Sequence, residues 1–151
     1  MTDNDHFGFD PSAALFGPNE LSLDLFGYSA TKDKGGGDHQ AWGPGVAVNY
    51  FFTENLGVGA EGYADAFETP YLLNALGEFR YPVPGVSWFA PHVFLGLGRE
   101  WANAPQWMGH FGGGAELRFN ANTGLLIDVR RVFCVNSPDY TLVRFGFRIT
   151  F

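Results

Sequence analysis

In several segments of the sequence, apolar and polar residues alternate. Ten charged side chains lie at the polar positions of these segments. They are Asp24, Glu61, Glu78, Arg80, Glu116, Arg118, Asp128, Arg130, Arg144 and Arg148. Five carboxylates and five guanidinium groups make this set balanced in sign. Charges removed from water are tolerated when they are paired and hydrogen-bonded. The pattern therefore predicts a buried, structural network of ion pairs. A narrow ion path, gated by pairs that exchange partners, is the functional alternative.

Nucleophilic catalysis would need a serine within hydrogen-bonding reach of a histidine that an acid orients. His110 has Gly112, not a serine, two residues further along its predicted strand. Ser29 and Ser137 fall in predicted loops and lack the sequence context of a nucleophile. The sequence therefore predicts that the protein is not an enzyme.

Metal and thiol chemistry have equally little support. The four histidines are scattered, with none of the paired spacings that metal sites use; they are His6, His39, His92 and His110. Cys134 is the single cysteine, and the sequence shows no base that would activate its thiol. We predict no metal and no cofactor, with His92 in the interior and hydrogen-bonded to a carboxylate.

Length and composition limit the classes of protein to consider. The chain has 151 residues, which suits one domain, and a net charge of -7, which disfavours nucleic acid as a partner. Its longest uncharged stretch, 81–98, contains three prolines and does not suit a transmembrane helix. The first five residues are polar and acidic rather than a signal peptide, so we expect that an exported chain has lost its leader.

Alternation with a period of two residues recurs along most of the chain and predicts eight strands. Three predicted connections are short, at 53–55, 82–87 and 120–123, and they alternate with longer loops. An even number of strands with short turns at one end predicts an antiparallel up-and-down barrel. The predicted strands are Asn19–Tyr28, Trp42–Phe52, Leu56–Asp65, Tyr71–Tyr81, Trp88–Glu100, His110–Asn120, Leu125–Phe133 and Tyr140–Phe151.

Two features predict that the apolar face of this barrel points outward. Most glycines share the phase of the charges, where they leave room for long side chains in the narrow interior of an eight-stranded barrel. Aromatic residues lie near both ends of the apolar rows, as in the two girdles of a membrane barrel. The opposite orientation would make a soluble barrel that binds an apolar ligand, and it stays the alternative.

The last predicted strand carries the most specific resemblance to a known family. It ends on Phe151 and has apolar residues at every second position, including Phe147 and Ile149. This strand resembles the C-terminal signal that the outer-membrane insertion machinery recognises. The runs Tyr50–Gly59 and His110–Phe119 are similar to hairpin and strand patterns of the OmpA/OmpX-like outer-membrane β-barrels.

The resemblance covers about residues 19–151 and leaves 1–18 as an unplaced N-terminal extension. It implies a monomeric, transmembrane eight-stranded barrel in a bacterial outer membrane, with short periplasmic turns and no wide pore. The implied role is structural, anchoring or surface-binding, with outer-membrane lipid, lipopolysaccharide and the insertion machinery as partners. Some small outer-membrane barrels hydrolyse lipid A, so a lipid A-modifying hydrolase is an alternative, as is a narrow ion-conducting pore.

Overall fold

The computed structural model describes residues 15–32, 40–64, 71–101 and 105–151. Its eight strands form a closed antiparallel barrel in which each strand pairs with its sequence neighbours and the last strand pairs with the first. The architecture confirms the predicted fold class. The described residues contain no helix long and apolar enough to cross a membrane. The strands are β1 (Glu20–Lys32), β2 (Gln40–Phe51), β3 (Leu56–Ala64), β4 (Tyr71–Arg80), β5 (Phe89–Glu100), β6 (Gln106–Arg118), β7 (Thr123–Cys134) and β8 (Tyr140–Thr150).

Two strands extend four residues past a predicted end. β1 continues to Lys32 instead of ending at Tyr28, and β6 begins at Gln106 instead of His110. Thr31 illustrates the reason, because its backbone is paired with β2 on one side and with β8 on the other. Because the barrel closes, any residue can find backbone hydrogen-bonding partners on the two neighbouring strands. This includes small and neutral residues, which do not contribute to the apolar alternation that predicts strands.

Side chains alternate between the lumen and the outer surface along every strand. On the outer surface Leu95 is 71% exposed and Phe147 is 59% exposed, whereas Arg80 in the lumen is fully buried. Large apolar rows on the outside of a closed barrel are the pattern of lipid-facing strands. The soluble alternative requires the reverse orientation and is therefore excluded.

The two ends of the barrel differ. The turns at 52–55, 81–88 and 119–122 lie at one end, which we call the turn mouth, and the opposite end is the loop mouth. The chain enters β1 and leaves β8 at the turn mouth. Asn120 stabilises the last of these turns, since its Oδ1 accepts hydrogen bonds from the backbone N–H groups of Asn122 and Thr123 at 2.8 and 2.9 Å.

Three phenylalanines of the described strands face the lumen, a feature that the charge pattern did not predict. Each lies directly across from a glycine on the neighbouring strand, and its ring covers that glycine. A Cβ atom added to Gly45 would lie 2.2 Å from the Phe26 ring, and one added to Gly112 would lie 2.7 Å from the Phe94 ring. Glycine is therefore required for the rings to lie flat on the barrel wall. The pairs are Phe26–Gly45, Phe51–Gly57 and Phe94–Gly112.

Candidate functional site: the charged lumen

Two arginines and two acids form an ion cluster in the part of the lumen nearer the loop mouth, which we call the loop-side cluster. Arg144 donates to Glu61 at 2.8 Å and to Asp128 at 2.6 Å. Arg130 contacts the same two carboxylates and lies 3.3 Å from Asp128. Asn74 adds a hydrogen bond to Glu61 at 2.9 Å. Each charge in this cluster therefore meets two opposite charges, and the numbers of acids and bases are equal.

A second cluster, the turn-side cluster, lies nearer the turn mouth. Arg148 donates to both carboxylate oxygens of Asp24, at 2.7 and 2.8 Å, and to Glu116 at 2.7 Å. Arg118 also pairs with Glu116. The full cluster draws its side chains from four strands, β1, β4, β6 and β8, so it joins opposite walls of the barrel. Its members are Glu20, Asp24, Glu78, Glu116, Arg80, Arg118 and Arg148.

Glu20 is a functional residue that the sequence analysis did not include in the network. Its Oε1 accepts from Arg80 at 2.7 Å and from Arg118 at 2.5 Å, which links three strands across the turn mouth. A signal was present, because Glu20 has the same phase as Asp24 on the first strand.

The turn-side cluster holds four carboxylates but three guanidinium groups, and Glu78 is the poorly paired acid. Its nearest guanidinium nitrogen, on Arg148, lies 3.8 Å away. His92 faces the same carboxylate at 4.0 Å, and both of its ring nitrogens lack a hydrogen-bond partner among the described residues. His92 is in the lumen, as predicted, but the predicted hydrogen bond is wrong because the distance is too long.

Aromatic rings cover the arginines where carboxylates do not. The Cζ atom of Arg80 lies 3.7 Å from the centre of the Phe51 ring. Arg130 lies 4.6 Å from the Phe94 ring in the same way. Arginine can stack on an aromatic face while its edge donates hydrogen bonds. The rings therefore fill the space that short charged contacts leave in the lumen.

The segment before β1 closes the turn mouth. Phe16 is 4% exposed, and its ring centre lies 5.0 and 4.9 Å from the Cζ atoms of Arg80 and Arg118. Arg118 donates to the carbonyl of Leu15 at 3.2 Å, and Arg80 donates to the carbonyl of Gly17 at 3.3 Å. Phe16 is therefore held as a plug by the same arginines that belong to the turn-side cluster.

The structure describes only the last part, residues 15–18, of the predicted N-terminal extension 1–18. Residues 1–14 lie outside the described residues, so the boundary of the extension at residue 18 stays a prediction. Asn19, which joins the plug to β1, has a φ of 58°. Asparagine tolerates this left-handed conformation better than most residues, and it sets the direction in which the segment turns back over the mouth.

The described residues do not assemble a serine nucleophile with a base. The ring nitrogens of His110 have no hydrogen-bond partner among them. Ser29 belongs to β1 and faces outward, which corrects its predicted place in a loop. Ser137 does lie in a loop, where its hydroxyl accepts from Gln106 at 2.9 Å. His6 and His39 lie outside the described residues.

The side chains of the described residues that could bind a metal ion are likewise not brought together. In the described parts of the chain, no three His, Cys, Asp or Glu side chains are arranged to hold a metal ion. Cys134 is the last residue of β7 and carries a free thiol.

The predicted insertion signal lies on the outer wall at the turn mouth. Phe147 and Ile149 share the outward phase of β8, and Phe151, 71% exposed, follows the strand. The three residues therefore lie along one lipid-facing row. Recognition of these three residues by the insertion machinery stays a prediction.

Comparisons with known proteins relate the chain to solved membrane barrels. No protein-family model and no curated protein matches the sequence. The N-terminal β-barrel domain of Pseudomonas aeruginosa OprF has a TM-score of 0.67 at 17% identity, over 89% of this chain and 99% of that one. A de novo designed transmembrane β-barrel has a TM-score of 0.67 at 16% identity, over 89% of this chain and 97% of that one.

A third similar structure is Ail, the attachment invasion locus protein of Yersinia pestis. Its TM-score is 0.65 at 15% identity, over 89% of this chain and 99% of that one. At such identities the likeness concerns the fold. It agrees with the closed eight-stranded sheet. The chain thus has the fold of the small eight-stranded outer-membrane β-barrels, as the family resemblance predicted.

Proposed function

We propose that this protein is a monomeric, integral outer-membrane barrel with a structural, anchoring or surface-binding role, and that it does not act as a pore. The observation that carries the proposal is the filled lumen. Five fully or almost fully buried arginines cross it, paired with acids and stacked on aromatic rings. An eight-stranded barrel has just enough interior volume for such side chains.

The membrane location follows from the outer wall. Exposed leucine, valine and phenylalanine side chains would be costly in water but are stable in hydrocarbon. Closure of the sheet pairs the backbone groups that lipid could not satisfy. Membrane lipid and lipopolysaccharide are therefore the proposed surroundings, with the turn mouth toward the periplasm. The row that ends at Phe151 is the proposed contact for the insertion machinery.

The absence of a pore is supported by two barriers in series. The loop-side and turn-side clusters each cross the lumen, and Phe16 covers the turn mouth. An ion would have to break several charge-assisted hydrogen bonds to pass, and such bonds are about twice as strong as neutral ones.

Planar-bilayer recordings test this proposal. We expect no steady current from folded protein, whose insertion is verified by a change of gel migration between heated and unheated samples. A steady, porin-sized conductance that scales with the amount of inserted protein would refute the sealed lumen.

A further inference from the structure

A cavity of about 170 Å³ lies inside the loop mouth, just beyond the loop-side cluster. Tyr63 forms part of its wall and is the next lumen-facing residue after Glu61 on β3. Tyr28 and Tyr140 also line the cavity. The rings of Tyr28 and Tyr63 are 4.9 Å apart, centre to centre. The cavity is therefore bounded on one side by aromatic rings and opens away from the plug.

The barrel itself holds these tyrosine hydroxyls. Tyr28 donates to the carbonyl of Ala64 at 3.0 Å, and Tyr140 donates to the sulfur of Met108 at 3.8 Å. The Tyr63 hydroxyl accepts a hydrogen bond from the side-chain amide of Asn74 at 3.4 Å. Because the hydroxyls already have partners, the rings are fixed in place. They provide a rigid aromatic surface, which is attractive to an organic cation.

Two opposite charges line the same cavity without forming an ion pair. Glu100, at the end of β5, accepts one hydrogen bond from Gln106 at 2.9 Å, and no described cationic side chain lies within 4.0 Å of its carboxylate. Lys32, at the end of β1, is exposed and likewise has no carboxylate of the described residues within 4.0 Å. Every lumen arginine, in contrast, has at least one carboxylate partner.

We propose that this cavity binds a small zwitterion from the aqueous phase. Glu100 and the tyrosine rings hold its ammonium group, and Lys32 holds its anionic group. A ligand with both charges matches both unpaired side chains, whereas a simple cation would be repelled by Lys32 and a simple anion by Glu100. The lining residues face the lumen rather than the outer wall, so the ligand is a free solute and not the headgroup of a surrounding lipid.

Isothermal titration calorimetry with two matched probes tests the site. Glycine betaine carries a quaternary ammonium and a carboxylate, and choline carries the same ammonium with a neutral hydroxyl in place of the carboxylate. The protein is kept in a polyoxyethylene detergent, which has neither charge nor sugar. We expect glycine betaine to bind at least about tenfold more tightly than choline, as the loss of one charge-assisted contact implies.

Three variants assign the contacts. Glu100→Gln should weaken the binding of glycine betaine at least about tenfold, because the quaternary ammonium loses the Coulomb attraction of its counter-charge. Lys32→Gln should reduce the affinity for glycine betaine to that for choline. Glu54→Gln, at an exposed position in a turn at the opposite mouth, is the control and should change neither affinity. Unchanged heat-modifiable migration shows that each variant is folded.

Several results would overturn the site. They are no binding of glycine betaine by the folded protein, equal affinity for both probes, or binding that Glu100→Gln leaves intact. Binding of glucose in place of glycine betaine would instead identify a carbohydrate site and also refute the proposal. The sealed lumen is judged by conductance, so either proposal can fail while the other stands.

Discussion

Among single residues, Glu116 and Glu78 are both buried in the turn-side cluster but differ in how well they are neutralised. Glu116 pairs with Arg118 and Arg148 and lies 3.6 Å from Arg80. Glu78 approaches Arg148 alone among the arginines, at 3.8 Å. In a medium with little water, a carboxylate without close partners is costly, whereas a fully paired one supports its partners. The degree of burial alone therefore does not predict how each of the two acids affects stability.

This difference gives a matched pair of substitutions. Glu116→Gln should lower the free energy of unfolding by roughly 3 kcal/mol, because it leaves buried guanidinium groups short of a counter-charge. Glu78→Gln should leave stability unchanged or raise it, since it removes the fourth carboxylate from a cluster with three arginines. Chemical denaturation in detergent micelles measures both. A similar loss for both variants would contradict the assignment of Glu78 as the excess acid.

The strands position these charges through contacts between phenylalanine and glycine. The Phe94 ring covers Gly112 on β6 while Arg130 stacks on that ring. The same arrangement joins Phe26, Gly45 and Arg144, with 4.7 Å between Cζ and ring centre. A cross-strand glycine lets the ring lie against the wall, and the ring then supports the guanidinium plane. Strand register is thus coupled to the geometry of the ion clusters.

Gly57→Ala tests that coupling, because Arg80 stacks on the Phe51 ring that covers Gly57. The added methyl would meet three atoms of the Phe51 ring at 2.7, 2.9 and 3.0 Å. We expect a loss of about 1–3 kcal/mol of unfolding free energy, the usual cost of an overpacked interior. Gly77→Ala is the control, because a Cβ there meets nothing within 4 Å. Equal stability of the two variants would show that the ring does not depend on the glycine.

The whole barrel is inverted relative to a soluble domain, with charges at its centre and apolar rows outside. Leu95 lies near the middle of β5 and is 71% exposed, whereas Leu56 begins β3 and is 54% exposed. In a bilayer the first position meets hydrocarbon and the second lies close to the interface. In water the two positions would be nearly equivalent.

Arginine substitutions distinguish these environments. In a bilayer, Leu95→Arg should cost about 2–4 kcal/mol of folding free energy and Leu56→Arg about 0–1 kcal/mol, because the penalty depends on depth. Folding titrations into lipid vesicles measure both values. If the two costs were equal, the belt around the middle of the barrel would not be the hydrocarbon-facing region.

Much of this architecture is readable from alternation alone. The phase of Asp24, Arg80 and Arg148 determined that they face one side of the sheet, because successive side chains on a strand point to opposite faces. The resulting eight strands and the lumen location of the charges agree with the structure. The end of β1 at Lys32 was missed, since backbone pairing there depends on β8, which lies more than 100 residues away in sequence.

The amino-acid order by itself determined the strands, their faces and the composition of the lumen. Only the tertiary structure decided which side chains pair. Glu20 bridges Arg80 and Arg118, and Glu78 is left with distant partners. Phe16 folds over the turn mouth. The physical reason is that alternation is a local property of one strand. Ion pairs across the lumen depend on register and on closure of the barrel, which bring together residues remote in sequence.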